Sequence, residues 1–164
     1  MSGYRIGQGI DAHPLTPGRP LMLGGVSIPH DRGLEGHSDG DVLLHAIADA
    51  LLGALGEGDL GRHFPSSDQS LRGIASIEIL ARVMAMSRRR GFRVVNLDAT
   101  LIAQAPRLAP HQQEMEAVVA DALEVPREAV NLKVTSTDRL GAIGRGEGMA
   151  AMAVVLLSSA AEES

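Results

Sequence analysis

The sequence contains no cysteine and no tryptophan, and apart from histidine its aromatic rings are Tyr4, Phe64 and Phe92. Without thiols neither a disulfide framework nor a thiolate zinc site can form, so any metal must be held by imidazole, carboxylate or water. The shortage of rings removes the stacking platforms on which single-stranded nucleic acid is usually bound. Positive charge is scarce as well. Lys and Arg number 15 against 20 Asp and Glu, the formal net charge is −5, and one short basic cluster runs from Arg88 to Arg90. That balance argues against a nucleic-acid partner. No apolar run reaches membrane-spanning length, and MSGYRIGQG lacks the apolar core of a secretory signal. Neither an anchor nor a leader is expected, no membrane partner is implied, and the cytoplasm is the default location.

What remains is a chain of 164 residues with 19 glycines and many alanines, long enough to bury a real core and short enough to be one domain over residues 1–164. A core of Leu, Val, Ile, Met and Ala, closely packed by short side chains, suits an α/β layer architecture. Loose alternation from Tyr4 to His13 predicts a strand, and the apolar stretch from Leu21 to Ile28 predicts a second one bent at Gly24 and Gly25. Helical spacing from Asp39 to Leu55, capped by Ser38 or Asp39, predicts the first helix. A long functional loop follows in GEGDLGRHFPSSDQSLRG. Ser76 to Arg90 reads as a second helix with Ile77, Leu80, Val83 and Met84 on one face and basic residues in its last turn. Strands are predicted at Arg93–Gln104, Val130–Thr137 and Met149–Leu157, the last largely buried, with a third helix at Pro110–Leu123. The terminal AEES is expected to fray.

Asp11 and His13 stand two apart in a predicted strand, so both side chains share a face. His45 lies near the start of the first helix, and a strand end meeting a helix start is a common place for ligands to converge. Asp, His and His around zinc would leave one position open, as in catalytic sites. The competing reading makes Asp11 a strand-end acid, His13 the residue before turn-forming Pro14, and His45 a satisfied polar residue. Asp41, His45 and Asp49 are spaced by four and form a polar stripe, which suggests Asp49 as the carboxylate that orients His45. His37 and Ser38 precede the helix, where backbone N–H groups favour phosphate oxygens, although serine there also serves as a plain cap. KVTSTDRLG, residues 133–141, offers hydroxyls and an acid for a diphosphate and a hard cation, or is simply a Thr-rich strand end. AQAPRLAPH, residues 103–111, is either a stiff connector or a wall of a base pocket. GRGEG, residues 144–148, suggests a tight turn first and an anion site second.

Taken in order, DAH at 11–13, HSDGDVLLHA at 37–46, GDLGRHFP at 58–65, AQAPRLAPH, TSTDRLG at 135–141 and GRGEG resemble the 2-C-methyl-D-erythritol 2,4-cyclodiphosphate synthase family from about residue 4 to residue 157. The resemblance implies a single α/β (α+β) domain, a mixed β-sheet with helices packed on one face, assembling as a homotrimer with active sites between subunits. It implies an enzyme that converts 4-diphosphocytidyl-2-C-methyl-D-erythritol 2-phosphate to the cyclic 2,4-diphosphate with release of CMP, in non-mevalonate isoprenoid precursor biosynthesis. Asp11, His13 and His45 match its zinc ligands, and Asp138 matches a position near a second cation, Mg²⁺ or Mn²⁺. His37 and Ser136 match residues that stabilise the transition state. Substrate contacts are implied for Asp11, Ala12, His13, His37 and Ser38. Asp59, Leu60 and Gly61 match the ribose segment, and Phe64, Pro65, Ser66, Ser67 and Asp68 match a mobile loop beside the methylerythritol. Ala103, Gln104, Ala105, Pro106, Arg107, Leu108 and Ala109 match the cytosine pocket, with Arg107 directed to phosphate. Thr135, Ser136, Thr137 and Asp138 match the diphosphate segment, and Ala142 and Arg145 match the axial cavity.

The chain departs from the family pattern at several of these positions. Asp138 stands where Glu is frequent, Ala142 where Phe is frequent, and Ser66 where Asp is common; Arg107 and Ser136 replace Lys and Thr. None touches the metal triad. Two other functions compete with the synthase: a metal-dependent phosphate-binding or regulatory module without turnover, and a metal phosphohydrolase in which metal-bound water attacks.

Overall fold

The computed structural model describes residues 3–159; the AEES tail lies outside the described residues. Strands β1 (Tyr4–Pro17), β2 (Leu21–Leu23), β3 (Val26–Ile28) and β4 (Arg32–Leu34) precede helix α1 (Val42–Leu55). The short α2 (Leu60–His63) and helix α3 (Ser76–Arg89) lead to β5 (Phe92–Ile102), α4 (Gln112–Leu123), β6 (Val130–Thr135), the single turn α5 (Gly141–Gly144) and β7 (Gly148–Ser159). The main sheet runs β4-β1-β7-β5-β6. Its pairs are antiparallel except β5 with β6, whose parallel connection passes through α4 and thus defines a mixed α+β fold.

Helix α1 is the centre of the core, and nearly all of its residues are buried. A helix this apolar all round must be covered on every side. Against the sheet it is met by glycines: a Cβ at Gly7 would stand 1.9 Å from the Ala50 carbonyl oxygen, and one at Gly9 2.0 Å from that of Ala46. The missing side chains bring helix and sheet together more closely than any other residue pair allows. Helix α3 covers α1 with Ile79, Leu80, Val83 and Met84. Ile77, expected on that face, is exposed, because Ile79 takes its place.

The opposite sheet face is open. Its β1 and β7 part exposes Ile6, Ile10, Met152 and Val154, with Tyr4 and Val95 nearby, so β7 is buried on one face and not on both. The β5–β6 part of this face is polar: Asp98 accepts from Asn131 Nδ2 at 2.9 Å and pairs with Lys133 Nζ at 2.7 Å.

Three expectations need correction. Leu21–Ile28 is not one bent strand but a hairpin, since Gly24 and Gly25 both adopt left-handed φ, 58° and 74°, and turn the chain back on itself. The cap of α1 is neither Ser38 nor Asp39. Asp41 takes that place, accepting from Leu44 N while its two oxygens also accept from Gly24 N and Gly25 N. The loop after α1 holds α2 and a 3₁₀ turn at Gln69–Leu71, each begun by an aspartate cap, Asp59 and Asp68. Among the described residues no helix is long and apolar enough to cross a membrane.

Candidate metal centre and the cavity around it

The register of the sheet gathers the site. His13 of β1 pairs with Met149 of β7, Ala12 and Ile102 both pair with Ala150, and Ile102 pairs with Thr135 of β6. The ends of β1, β5 and β6 and the beginning of β7 therefore share one edge, where the first turn of α1 also lies. Asp11 and His13 point from β1 toward the helix layer, and His45 meets them there. Asp11 Oδ2 is 2.8 Å from His13 Nε2 and 3.0 Å from His45 Nδ1, and the two ring nitrogens are 3.2 Å apart.

Which nitrogens carry protons follows from the partners behind them. His13 Nδ1 lies 2.6 Å from the Glu35 carbonyl oxygen, which can only accept, so Nδ1 carries the hydrogen and neutral His13 turns a lone pair on Nε2 toward Asp11. Behind His45, Nε2 is 2.9 Å from Ser76 Oγ. Ser76 gives its one hydroxyl proton to Asp39 Oδ1, so toward His45 it must accept. That leaves Nδ1 of neutral His45 as a lone pair. Three lone-pair atoms within 3.2 Å of one another repel unless a cation stands among them. Tetrahedral zinc at its usual bond lengths separates its donors by about 3.3 Å, so the donor set and its spacing fit such an ion. Without a metal a proton takes this role: the hydrogen bond with Asp11 raises the His13 pKa against the opposing effect of burial. Among the described residues these three form the one such cluster of metal-capable donors.

Asp49 does not orient His45. Its Oδ1 accepts from Leu60 N at 3.0 Å and ties α2 to α1. Helical side chains lean toward the N-terminus, so His45 points away from the residue one turn later and toward the start of the helix. Ser76 and the role of Asp39 escaped the sequence reading because Ser76 lies 31 residues from His45.

The cluster opens into a cavity of about 230 Å³ lined by His37, Ser38, Leu60, Gly61, Phe64, Pro65, Ser66, Asp68, Leu71, Ile74 and Ile79. The lining joins the polar cluster residues to the apolar side chains of Leu60, Phe64, Leu71, Ile74 and Ile79, which suits a phosphorylated small carbon skeleton. His37 is exposed and stands on a braced loop: Arg19 donates to the carbonyls of Gly36 at 3.0 Å and Ser38 at 2.7 Å, and Gly73 N donates to that of His37 at 2.7 Å. The buried Ser38 hydroxyl accepts from Gly40 N and faces His45 Nε2 at 3.0 Å. At the start of α1 the Asp41 carboxylate already occupies Leu44 N. Burial pushes the Asp41 carboxyl up to about 6 against the three N–H donors that favour its charge. Ser67 is exposed in the same segment but does not line the cavity.

The other candidates form a second group. Ala103 N donates to the Thr135 carbonyl at 3.0 Å, and Arg139 N to Gln104 Oε1 at 2.9 Å, so segments 103–109 and 135–139 stand side by side. Ser136 Oγ accepts from Asp138 N, Thr137 Oγ1 donates to the Leu140 carbonyl, and Asp138 and Arg139 both have positive φ. Ala105, Arg107, Ala109, Ser136 and Asp138 are exposed, Pro106 is half-buried and Leu108 is buried. None of this group lines the metal cavity. Ala12 and Ala142 line a separate shallow pocket behind His13, and Arg145 is paired with Glu147 at 2.6 Å.

Fold and site together define a mixed-sheet α+β protein with an Asp-His-His centre suited to a divalent metal and opening into a cavity. The YgbB family model matches residues 4–158, and the chain belongs to that family. It is 59% identical over 154 residues to the 2-C-methyl-D-erythritol 2,4-cyclodiphosphate synthase of Geobacillus kaustophilus, covering 94% of this chain and 98% of that one. The bifunctional IspDF of Campylobacter jejuni superposes with a TM-score of 0.93 at 40% identity over 97% of this chain; the chain spans 43% of that longer protein. IspF of Plasmodium falciparum, solved as a CDP complex, gives a TM-score of 0.85 at 30% identity, covering 97% of this chain and 98% of its own.

Proposed function

We propose that this chain, as one synthase domain, converts 4-diphosphocytidyl-2-C-methyl-D-erythritol 2-phosphate to 2-C-methyl-D-erythritol 2,4-cyclodiphosphate and CMP, in the non-mevalonate route to isoprenoid precursors. The observation that carries the reading is the Asp11–His13–His45 cluster, with its lone pairs turned inward, in a cavity also lined by apolar side chains. An oxygen of the substrate's own 2-phosphate forms the new bond to the phosphorus borne on the 4-oxygen. The bond from that phosphorus to the bridging oxygen breaks, and its electron pair leaves with CMP. No water is consumed and no side chain attacks, so the protein's work is positioning and charge neutralisation.

Asp11, His13 and His45 would hold zinc and Asp138 would stand near Mg²⁺ or Mn²⁺; such ions would supply polarisation of the phosphates and neutralisation of the diphosphate charge. His37, on its braced loop, and the exposed Ser136 hydroxyl donate to phosphoryl oxygens in the transition state. Phe64, Pro65, Ser66 and Asp68 enclose the methylerythritol, Asp59 to Gly61 meet the ribose, and Ala103 to Ala109 present backbone groups to cytosine with Arg107 at the phosphate. Thr135 and Thr137 flank the diphosphate, and Ala142 and Arg145 line a cavity on the threefold axis.

The assembly is a homotrimer with each site shared by two copies. Two features support this: the apolar face of β1 and β7 is uncovered in a single chain, and the 103–109 and 135–138 segments stay outside the cavity of their own metal cluster. Acting on a water-soluble nucleotide, the enzyme works in the cytoplasm. The test is incubation of purified protein with the cytidyl substrate, with and without a zinc chelator. CMP and the cyclic product should appear together and stop with chelation; CMP with a linear phosphate would mean hydrolysis, and binding without turnover would mean a phosphate-binding module.

A further inference from the structure

His45 is held from behind by two hydroxyls whose own partners lie on different parts of the chain. Ser76, 1% exposed at the first position of α3, faces Nε2 at 2.9 Å, and Ser38, 7% exposed, faces it at 3.0 Å. The two hydroxyl oxygens are 3.3 Å apart. Asp39 accepts from both the hydroxyl and the backbone N–H of Ser76, the latter at 3.1 Å, and also from Asp41 N at 3.1 Å. The carboxylate can only accept, so Ser76 Oγ–H points to Asp39 and Ser76 Oγ accepts from His45 Nε2–H, while Ser38 can turn its own proton to Ser76 Oγ. We propose that Ser76 and Asp39 are positioning residues for the metal centre: through Ser76 Oγ they lock His45 as the tautomer whose Nδ1 faces Asp11 and His13. This rests on the metal-centre reading above and assigns it an outer support that begins on α3, directly after the segment that walls the cavity.

A purely structural cap would need the Ser76 N–H and not its hydroxyl, so Ser76→Ala separates the two roles. Zinc affinity, measured by chelator competition, should fall about 10-fold in Ser76→Ala and toward 100-fold in Ser38→Ala/Ser76→Ala, the range typical of lost partners behind a ligating histidine. The thermal midpoint should hold, and Ser76→Thr, which keeps the hydroxyl, should restore affinity. Imidazole ¹⁵N shifts of the metal-free protein should show His45 protonated at Nε2 in the wild type and a tautomer mixture in the double variant. Wild-type zinc affinity in both alanine variants, with His45→Ala losing the metal, would overturn the proposal; so would an unchanged His45 tautomer. A wild type that binds no zinc would overturn it as well, whereas one that binds zinc but releases no CMP would remove the synthase reading and leave this one standing.

Discussion

Three side chains spaced by four along α1 do three different things. His45 turns to the sheet edge, Asp49 holds Leu60 N, and Asp41 binds the N–H groups of the β2–β3 turn and of the first helical turn. Asp41 makes a prediction at this scale. Its pKa is about 6 in the folded protein against an ordinary 3.8, so between these values the native state binds more protons than the unfolded chain and stability falls as pH rises. The margin by which wild type exceeds Asp41→Asn in urea denaturation should therefore shrink from pH 4 to pH 6, by on the order of 3 kcal/mol, and stay level above that. A margin independent of pH would contradict the raised pKa. Sequence spacing brought out Asp11, His13 and His45 because a strand period of two and a helix start are local properties. It misassigned Asp49 and missed Ser76, because the direction of a ring and a partner 31 residues away are set by packing.

Elements were legible to the extent that their own residues define them. α1 and α3 lie close to the predicted spans, since apolar spacing and end residues such as Gly56, with its left-handed φ of 71°, and Gly91 are local. The β2–β3 hairpin was not, because two glycines in an apolar run serve a bend as well as a turn, and the short β4 exists by pairing with Leu15 to Pro17. Gly7 and Gly9 show how one element dictates another. A Cβ at Gly9 would overlap a backbone oxygen of α1, and neither rigid element can yield cheaply. Gly9→Ala should lower unfolding free energy by about 3 kcal/mol or more, as overpacking against backbone does. Loss of less than about 1 kcal/mol would show that α1 can slide.

For the whole molecule, the uncovered apolar face and the separation of segments 103–109 and 135–138 from the metal cavity bear on the proposed trimer. Val154→Glu, on the open face and paired with Gln8 away from the cluster, should convert the proposed trimer into monomers by light scattering and reduce CMP release at least about 100-fold. Zinc binding should survive, because its three ligands and their supports lie within one chain. An active monomer would contradict the shared site. The amino-acid sequence by itself determined the residue types available to bind a metal, the α1 and α3 helices, the long β1, β5 and β7 strands and the family, all properties of composition, period or ordered motif. The tertiary structure decided that β7 and β1 expose one face, that Asp39 and Ser76 stand behind His45, and that segments 103–109 and 135–139 lie outside the metal cavity. These depend on strand order and on which helix face meets the sheet, and such relations arise when distant stretches pack together.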